Sequence, residues 1–479
     1  MRIIRYLHLG ILFGVLFSAG NAGDLNAVRK LKIDDGKILS VRRITNPVHS
    51  DGTGNLPART IVKLVLMPAK GSCSYVEVWL PDDDQWNSRF AGIGNGGAAG
   101  GISETSLIDG LKRGYAVATT DMGTAPEPDC GIQNPEVWKD FGFRATHLMT
   151  VAAKQIIEVF YKKPPAYSYF SGGSTGGQQA LQEAQRYPED YDGIAARVPA
   201  HCRTPLHAYF LWNYQLAQQC RLTREQDQNL ITAAVDYMAR KEKPPFAGKM
   251  ISDPRCSAQD VEAIIELAMK RDATLTPKHA ECLRKIFDGP KSPGGERIFN
   301  GVPPGSSIIN ATGHLYLFQW AFHREVKYGA LDFEKDMDTC TRLLAPYLNA
   351  ENPDLSRFHA RGGKLLMLSG TADSVVPYHA TLDYYERCAE NAGSMEKLQD
   401  FFRYYLVPGA GHGAGLPGFM DMVVAWREKG VVPEGVDTRL ADGTKITLFP
   451  YPKDMARGGV ERIHPRYSPP AAKDPDVSR

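Results

Sequence analysis

The sequence lacks the features that mark several common classes of protein. Its 56 basic and 54 acidic residues leave a formal net charge of +2, so no charge excess points to nucleic acid or to an anionic membrane surface. None of its eight cysteines forms a C-x-x-C pair, which removes support for a zinc or thiol redox motif. No internal repeat is visible, and beyond the N-terminus no stretch is apolar enough to span a bilayer.

The N-terminus has the pattern of a signal peptide. Arg2 and Arg5 precede the uncharged apolar run Leu7–Phe17, and small residues follow at Gly20–Ala22. We therefore expect residues 1–22 to be a signal peptide and the protein to be secreted or periplasmic; a buried N-terminal helix is the alternative. An even number of cysteines in an exported chain predicts disulfides, whose pairing the sequence does not fix.

Two parts of the chain, residues 23–203 and 331–479, alternate between strand and helix patterns. This alternation predicts an α/β fold with a mostly parallel central sheet covered on both faces. Residues 204–330 lack that rhythm and combine an aromatic-rich stretch, helices and a loop rich in Gly and Pro, which we interpret as an inserted lid domain. The predicted strands are Thr60–Met67, Tyr75–Leu80, Arg89–Ile93, Tyr115–Thr120, Tyr167–Phe170, Gly193–Val198, Lys364–Ser369 and Phe402–Val407. The predicted helices are Arg144–Tyr161, Gly177–Tyr187, His379–Glu390, Phe419–Glu428 and one that begins at Thr223, where Gln226 completes a capping box.

The strongest local signal is the run Gly172–Gly176, which fits G-x-S-x-G between a predicted strand and a predicted helix. Glycines suit this sharp turn because side chains there would clash with the neighbouring elements. The pattern predicts that Ser174 is a nucleophile at the start of a helix. A Gly-rich turn without catalytic function is the alternative.

A serine hydroxyl needs a general base, and the base needs an orienting acid. In this kind of fold they follow the nucleophile in the order acid, then histidine. Asp373 comes just after the strand Lys364–Ser369, and His412 lies in a Gly-rich loop directly after another strand, so both have the expected position. His379 is a competing base and Asp383 a competing acid, but His379 opens a helix instead of following a strand.

The run Gly94–Gly97 follows the short strand Arg89–Ile93 and is the candidate oxyanion loop. We expect the backbone N–H of Gly96 or Gly97 to act together with that of Thr175. A flexible surface turn is one alternative. A dinucleotide-binding loop is another, but no helix with a downstream acidic residue follows the glycines as that site requires.

Several long segments of the chain resemble the tannase and feruloyl esterase family. The resemblance covers about residues 60–455 and is weakest in the lid. The segments are Asp140–His147, Tyr169–Gly193 (YFSGGSTGGQQALQEAQRYPEDYDG), Leu348–Tyr385 and Phe402–Gly418 (FRYYLVPGAGHGAGLPG).

The resemblance implies an α/β-hydrolase fold with Ser174, Asp373 and His412 as the catalytic triad. It also implies a serine carboxylesterase that cleaves small-molecule esters of hydroxycinnamic, gallic or benzoic type through an acyl-enzyme. An esterase or acyltransferase acting on another secondary-metabolite ester is the alternative, and a catalytically inactive binding protein is the alternative from another class. No nucleic-acid or membrane partner is expected, and the oligomeric state stays open.

Two departures from the family pattern stand out. Family members usually carry cysteines just before the nucleophile and just after the catalytic histidine, where they form a disulfide; this chain has Gly173 and Gly413 there. The family's lid also usually holds a calcium loop rich in Asp and Gly. The matching stretch, Val235–Cys256, has two Asp and several Lys, so we expect no calcium or other cofactor.

Overall fold

A computed structural model describes residues 23–46, 56–243, 246–323, 325–440, 443–453 and 462–467; the predicted signal peptide lies outside them. A nine-stranded sheet forms the centre of the molecule, and a two-stranded sheet lies apart from it. The strands are β1 Gly36–Ile44, β2 Arg59–Leu66, β3 Ser74–Pro81, β4 Arg89–Ile93, β5 Ala116–Thr120, β6 Tyr167–Gly173, β7 Gly193–Arg197, β8 Lys364–Gly370, β9 Phe402–Val407, β10 Val436–Arg439 and β11 Lys445–Leu448.

The strand order in the large sheet is β1-β2-β3-β5-β4-β6-β7-β8-β9. The six strands β5-β4-β6-β7-β8-β9 are all parallel to their neighbours. At one edge, β1, β2 and β3 extend the sheet with antiparallel pairing. The prediction of a mostly parallel sheet is therefore confirmed. The antiparallel part is built from hairpin neighbours, which need no helical crossover.

Helices connect the parallel strands and cover both faces of the sheet. The α-helices are α1 Leu25–Lys30, α2 Glu104–Lys112, α3 Pro135–Lys139, α4 Ala145–Tyr161, α5 Thr175–Arg186, α6 Arg203–Gln219, α7 Arg224–Met238, α8 Ala258–Arg271, α9 Pro277–Asp288, α10 Tyr316–Ala321, α11 Lys335–Leu348, α12 Ser356–Ala360, α13 Tyr378–Ala392, α14 Met395–Gln399 and α15 Phe419–Lys429. Shorter helical turns are Pro128–Gly131, Asp140–Arg144, Ala239–Lys241, Ile309–Thr312 and Tyr328–Ala330. No helix among the described residues is both long and apolar enough to cross a membrane.

The connection between β7 and β8 is helical and contains residues 204–330, the predicted lid. Its helix α7 begins with the predicted capping box, in which Thr223 and Gln226 each bind the other's backbone N–H. Apolar side chains of α6, α9 and α10 form a core of their own, which continues into α11 and to Val376 beside the sheet. The helical connection is thus packed against the loops that follow the strands.

The topology brings the candidate residues to one edge of the sheet. β4, β6, β8 and β9 all run parallel, so their carboxyl ends lie on the same side. Gly94 follows β4, Ser174 follows β6, Asp373 follows β8 and His412 follows β9. Residues far apart in sequence are therefore placed around a single site.

Candidate active site

Ser174 occupies a sharp turn between β6 and α5. Its backbone has φ 57° and ψ −115°, a strained conformation for a residue with a side chain. The turn is held by its neighbours, because the N–H of Ser174 donates to the carbonyl of Arg197 (3.0 Å) and its carbonyl accepts from Ala200 (3.0 Å). This is the geometry of a nucleophile elbow, in which the strained turn exposes the serine hydroxyl.

The glycines around Ser174 are required by close packing of the backbone. A Cβ on Gly172 would lie 2.5 Å from the carbonyl carbon of Gly176, and a Cβ on Gly176 would lie 3.0 Å from the carbonyl oxygen of Asn95. Gly173 differs, because a Cβ there would meet nothing closer than 3.6 Å. Two of the three glycines in the turn are thus fixed by space, and the third is not.

Asp373 and His412, the predicted acid and base, are hydrogen-bonded to each other. Asp373 Oδ2 lies 2.9 Å from Nδ1 of His412, and Oδ1 accepts from the backbone N–H groups of Val375 (2.8 Å) and Val376 (2.9 Å). The carboxylate is fully buried, whereas the His412 side chain is 33% exposed. A buried carboxylate with its hydrogen bonds satisfied can fix the tautomer of the His412 ring. The Nε2 of that ring is then left free to accept a proton.

The loops that carry these two residues are joined to each other. The N–H of Ala372 donates to the carbonyl of Ala410 (2.9 Å), and the N–H of Gly409 donates to Oγ1 of Thr371 (2.8 Å). Among the described residues, Ser174 Oγ makes no hydrogen bond, so its contact with His412 is not formed in this structure. Such contacts are often long before substrate binds.

The competing residues serve other roles. Asp383 is bound by Arg387 (3.1 Å) and lies 3.6 Å from Arg462, which makes it part of an ion-pair network. His379 lies in α13, and burial lowers the pKa of its ring to about 3. Asp373 and His412, which bind each other, are therefore the better acid and base.

The candidate oxyanion loop is packed against the elbow. The N–H of Asn95 donates to Oε1 of Gln179 (2.8 Å), and the N–H of Gly176 donates to the carbonyl of Asn95 (2.7 Å). In the described part of the chain, the N–H groups of Thr175, Gly96 and Gly97 have no acceptor. The sequence predicts that Thr175 acts with either Gly96 or Gly97, and all three N–H groups are available to bind an oxyanion.

The run Gly92–Gly97 matches the dinucleotide-site pattern G-x-G-x-x-G letter for letter, so the pattern alone does not exclude that alternative. The structure shows that it does not open a helix, because α2 begins only at Glu104. Its glycines serve the elbow instead, since a Cβ on Gly94 would lie 2.6 Å from Cα of Gly176. A dinucleotide loop needs the helix N-terminus that is missing at this point.

Two groups of side chains among the described residues have metal-ligand types close together. In the first, His201, Cys202 and Glu351 are buried, and His201 and Arg387 both bind the Glu351 carboxylate. The second group is His147, Glu183 and Asp190. The groups lie outside Val235–Cys256, the stretch that corresponds to the family's calcium loop.

Comparisons with known proteins agree with this geometry. The model of the family described as tannase and feruloyl esterase matches residues 62–330 and 318–459. The chain belongs to the tannase and feruloyl esterase family. It is therefore a carboxylic ester hydrolase acting on small-molecule esters, as the sequence predicts.

Relatives and solved structures cover most of the chain. An uncharacterised esterase of Xanthomonas campestris pv. campestris is 29% identical over 87% of this chain and 82% of its own. A "Probable feruloyl esterase" of Arthroderma benhamiae is 28% identical over 78% of this chain and 77% of its own. Feruloyl esterase B from Aspergillus oryzae superposes with a TM-score of 0.77 at 22% identity, covering 88% of this chain and 94% of its own. Tannin acyl hydrolase from Aspergillus niger gives a TM-score of 0.73 at 18% identity, covering 94% and 97%. The predicted α/β-hydrolase fold is confirmed.

Sequence reasoning missed two residues that support the site. Gln179 bridges the oxyanion loop and α4, because its side chain accepts from Asn95 and donates to Thr146 (2.8 Å). Arg203, at the start of α6, donates to the Thr175 hydroxyl (3.0 Å). Gln179 follows Thr175 at the i,i+4 helical spacing, which could have suggested it, whereas nothing in the sequence around Arg203 indicates its contact.

Proposed function

We propose that this protein hydrolyses esters of small aromatic acids, of hydroxycinnamic, gallic or benzoic type, through an acyl-enzyme on Ser174. The observation that supports this most directly is the buried Asp373 carboxylate bound to His412 at the edge of the sheet where Ser174 forms its elbow. The aromatic acid is inferred from the names of the relatives, which include feruloyl esterases and a tannin acyl hydrolase.

In the acylation step, Ser174 Oγ attacks the ester carbonyl carbon while Nε2 of His412 takes the hydroxyl proton. Asp373 holds the Nδ1–H and stabilises the imidazolium that forms. The carbonyl oxygen becomes an oxyanion, which accepts hydrogen bonds from the N–H of Thr175 and of Gly96 or Gly97. The C–O bond to the alcohol then breaks, and the alcohol leaves with the proton from His412.

In the deacylation step, water replaces the alcohol. His412 takes a proton from the water, the hydroxide attacks the acyl carbon, and the same N–H groups stabilise the second oxyanion. The bond to Ser174 Oγ breaks and the serine recovers its proton from His412. The free acid is released and the enzyme is restored without a metal or an organic cofactor.

We propose that the site needs no calcium, because the acidic residues that correspond to the family's calcium loop already have partners. Asp236 binds Arg271 (2.6 Å) and Asp253 binds Arg255 (2.6 Å). Glu242 accepts from the hydroxyl of Ser252 (2.6 Å). A calcium site needs several oxygen ligands free to converge on the ion, and the residues present do not fit that requirement.

We also propose that the protein is exported, because its N-terminus has the pattern of a signal peptide. All eight cysteines have free thiols in the structure. Cys220, which follows α6, and Cys282 in α9 line the same cavity between the two helices. In an oxidising compartment we expect these two to be a disulfide pair that joins the two helices.

The experiment that tests the function compares wild-type protein with Ser174→Ala. We expect wild-type turnover of p-nitrophenyl acetate and of methyl ferulate, with kcat reduced about a thousandfold or more in the variant. The melting temperature should change little, because alanine keeps the Cβ and loses only an unbonded hydroxyl. Near-wild-type activity in Ser174→Ala would refute the assignment of the nucleophile, and activity on the acetate but not the ferulate would refute a hydroxycinnamic acyl group.

A further inference from the structure

Arg203 is a buried arginine directly beneath the nucleophile elbow. It is the first residue of α6, its exposed fraction is 4%, and Nη2 donates to Oγ1 of Thr175 (3.0 Å). Nε donates to Oε1 of Gln178 (2.8 Å), and Nη2 also contacts that oxygen. Thr175 and Gln178 both lie in the first turn of α5, so one guanidinium joins the start of two helices.

The charge on Arg203 has no ionic partner. Within the described residues, its hydrogen-bond partners are a hydroxyl and an amide, and no carboxylate is within salt-bridge distance. Its guanidinium lies over the ring of Phe141, 5.3 Å from the centroid. Burying an unpaired charge is costly, so a role beyond filling space is to be expected of it.

The hydroxyl of Thr175 passes this contact on to the oxyanion loop. Because Oγ1 accepts from Arg203, its own hydrogen is directed elsewhere, and it donates to the carbonyl of Gly97 (2.5 Å). Gly97 needs such a restraint, since its φ is +58° and no atom lies within 4 Å of where its Cβ would be. The same is true of the space around Gly96. No packing contact therefore restrains Gly96 and Gly97 where their side chains would be, and the loop is held through its backbone.

We propose that Arg203 is a positioning residue for the oxyanion hole, acting through the Thr175 hydroxyl on the Gly97 carbonyl. This inference rests on the proposed function, because it concerns donors that matter only if an oxyanion forms. A fixed Gly97 carbonyl orients the peptide planes of the loop. The neighbouring N–H groups are thereby directed toward the position of the oxyanion. Such donors act by preorganisation, and small displacements weaken them.

The position of Arg203 also couples the helical connection to the chemistry. Since α6 opens that connection, a displacement of α6 would separate Arg203 from Thr175 and release the loop. The lid would then influence kcat through the oxyanion hole as well as influencing substrate access.

The test is a double-mutant cycle on p-nitrophenyl acetate hydrolysis. Arg203→Met removes the donor while keeping an apolar body of similar length, and Thr175→Val removes the hydroxyl while keeping the branched shape. We expect each to lower kcat about tenfold or more with KM changed less than about threefold, since the loss falls on the transition state. The double variant should have a kcat no lower than that of the less active single variant, because both substitutions break the same chain of hydrogen bonds from Arg203 to Gly97.

Two conservative variants separate positioning from a general structural role. Arg203→Lys keeps a charged donor and Thr175→Ser keeps the hydroxyl, and each should recover several-fold in kcat over its apolar counterpart. Arg361→Met is the matched control: it removes a guanidinium that binds the carbonyls of Pro188 (2.6 Å) and Tyr191 (2.8 Å) at the opposite end of the strands. It should leave kcat unchanged.

The outcomes are distinct. Multiplicative losses in the double variant, a loss confined to KM, or wild-type kcat in Arg203→Met would each overturn the proposal while the esterase function stands. If Arg203→Met does not fold, the Thr175→Val and Thr175→Ser pair decides by the same criteria. If wild-type protein hydrolyses no ester, or Ser174→Ala retains activity, the proposed function itself fails.

Discussion

At the scale of single residues, the site depends on strain and burial held at a few positions. Ser174 keeps a positive φ only because its neighbours bind both its N–H and its carbonyl. Asp373 stays buried as a carboxylate because two backbone N–H groups and His412 satisfy its oxygens. Neither arrangement is stable without the surrounding sheet, which is why the chemistry is located at the strand ends.

Replacing Asp373 by Asn should reduce kcat by about four orders of magnitude, because the amide favours the wrong tautomer of His412. The Asn side-chain oxygen can still accept from Val375 and Val376, so the loop should keep its shape. The measurement is steady-state hydrolysis of p-nitrophenyl acetate by purified variants.

Asp383→Asn is the matched control for this prediction. It changes a buried carboxylate of the same type that pairs with Arg387, so stability should fall while kcat stays close to wild type. A mild effect of Asp373→Asn combined with a severe effect of Asp383→Asn on kcat would transfer the role of the acid to Asp383.

At the scale of elements, the Ser and His loops carry Gly173 and Gly413 where the family pattern implies a disulfide between them. The double variant Gly173→Cys with Gly413→Cys should form this bond when treated with diamide. Neither glycine has a positive φ, and a Cβ at either site would meet no atom closer than 3.6 Å, so cysteine fits both backbones. If the loops run as in relatives, the two Cα atoms lie within the bridging range of about 4.4–6.8 Å.

The bond would close a loop of about 240 residues, for which chain entropy allows roughly 5 kcal/mol, less any strain. We expect a higher melting temperature for the oxidised double variant, which should lose two more titratable thiols on oxidation than the wild-type protein does. The single variants Gly173→Cys and Gly413→Cys are the controls for reaction with the native cysteines. Failure of the two new thiols to bond would show that the loops are further apart than in relatives.

Several elements could be predicted from sequence because their patterns are local. β4 and β9 have the predicted limits, since each is a short, mostly apolar run. The strand β1, Gly36–Ile44, was missed because it is an edge strand with Lys37 and two arginines on largely exposed positions. Edge strands need no apolar alternation, so their sequence pattern is weak.

The candidate site was predictable to a different extent for each of its parts. Asp373 follows from strand order, because any acid after β8 is brought toward the carboxyl edge. The choice between Gly96 and Gly97 was not predictable, because the direction of an N–H depends on local dihedral angles. Arg203 was not predictable either, since its contact with Thr175 joins elements separated by β7 and is created only by packing.

At the scale of the whole molecule, calcium should have no part in stability. Incubation with EDTA should leave the melting temperature and the rate of ester hydrolysis unchanged, because Asp236 and Asp253 are already paired with arginines. Added calcium chloride should have no effect on the treated protein. A lower melting temperature in EDTA that calcium restores would show that a calcium site exists.

The stability of the molecule should also depend on pH through Asp121, which follows β5 and is buried. Its Oδ1 accepts from the N–H groups of Tyr75 (2.9 Å) and Gly123 (2.9 Å), but Oδ2 has no partner among the described residues. Burial raises the pKa of this carboxyl to about 6, with Asp140 adding repulsion. The folded protein therefore holds this proton more tightly than the unfolded chain, whose pKa for Asp is about 3.9.

The sign of the effect follows from that difference. Protonated Asp121 contributes fully to the free energy of unfolding below about pH 4. This contribution, up to roughly 3 kcal/mol by linkage, is lost as the pH rises through about 6. Asp121→Asn keeps the acceptor oxygen but cannot ionise, so its free energy of unfolding relative to wild type should be about 2 kcal/mol more favourable at pH 8 than at pH 4.5. Urea unfolding at both pH values measures this difference, and Asp84→Asn is the control for the same substitution at an exposed position. If Asp121→Asn changed the free energy of unfolding by the same amount at both pH values, the result would mean that Asp121 titrates normally and that its unpaired Oδ2 is solvated in the folded protein.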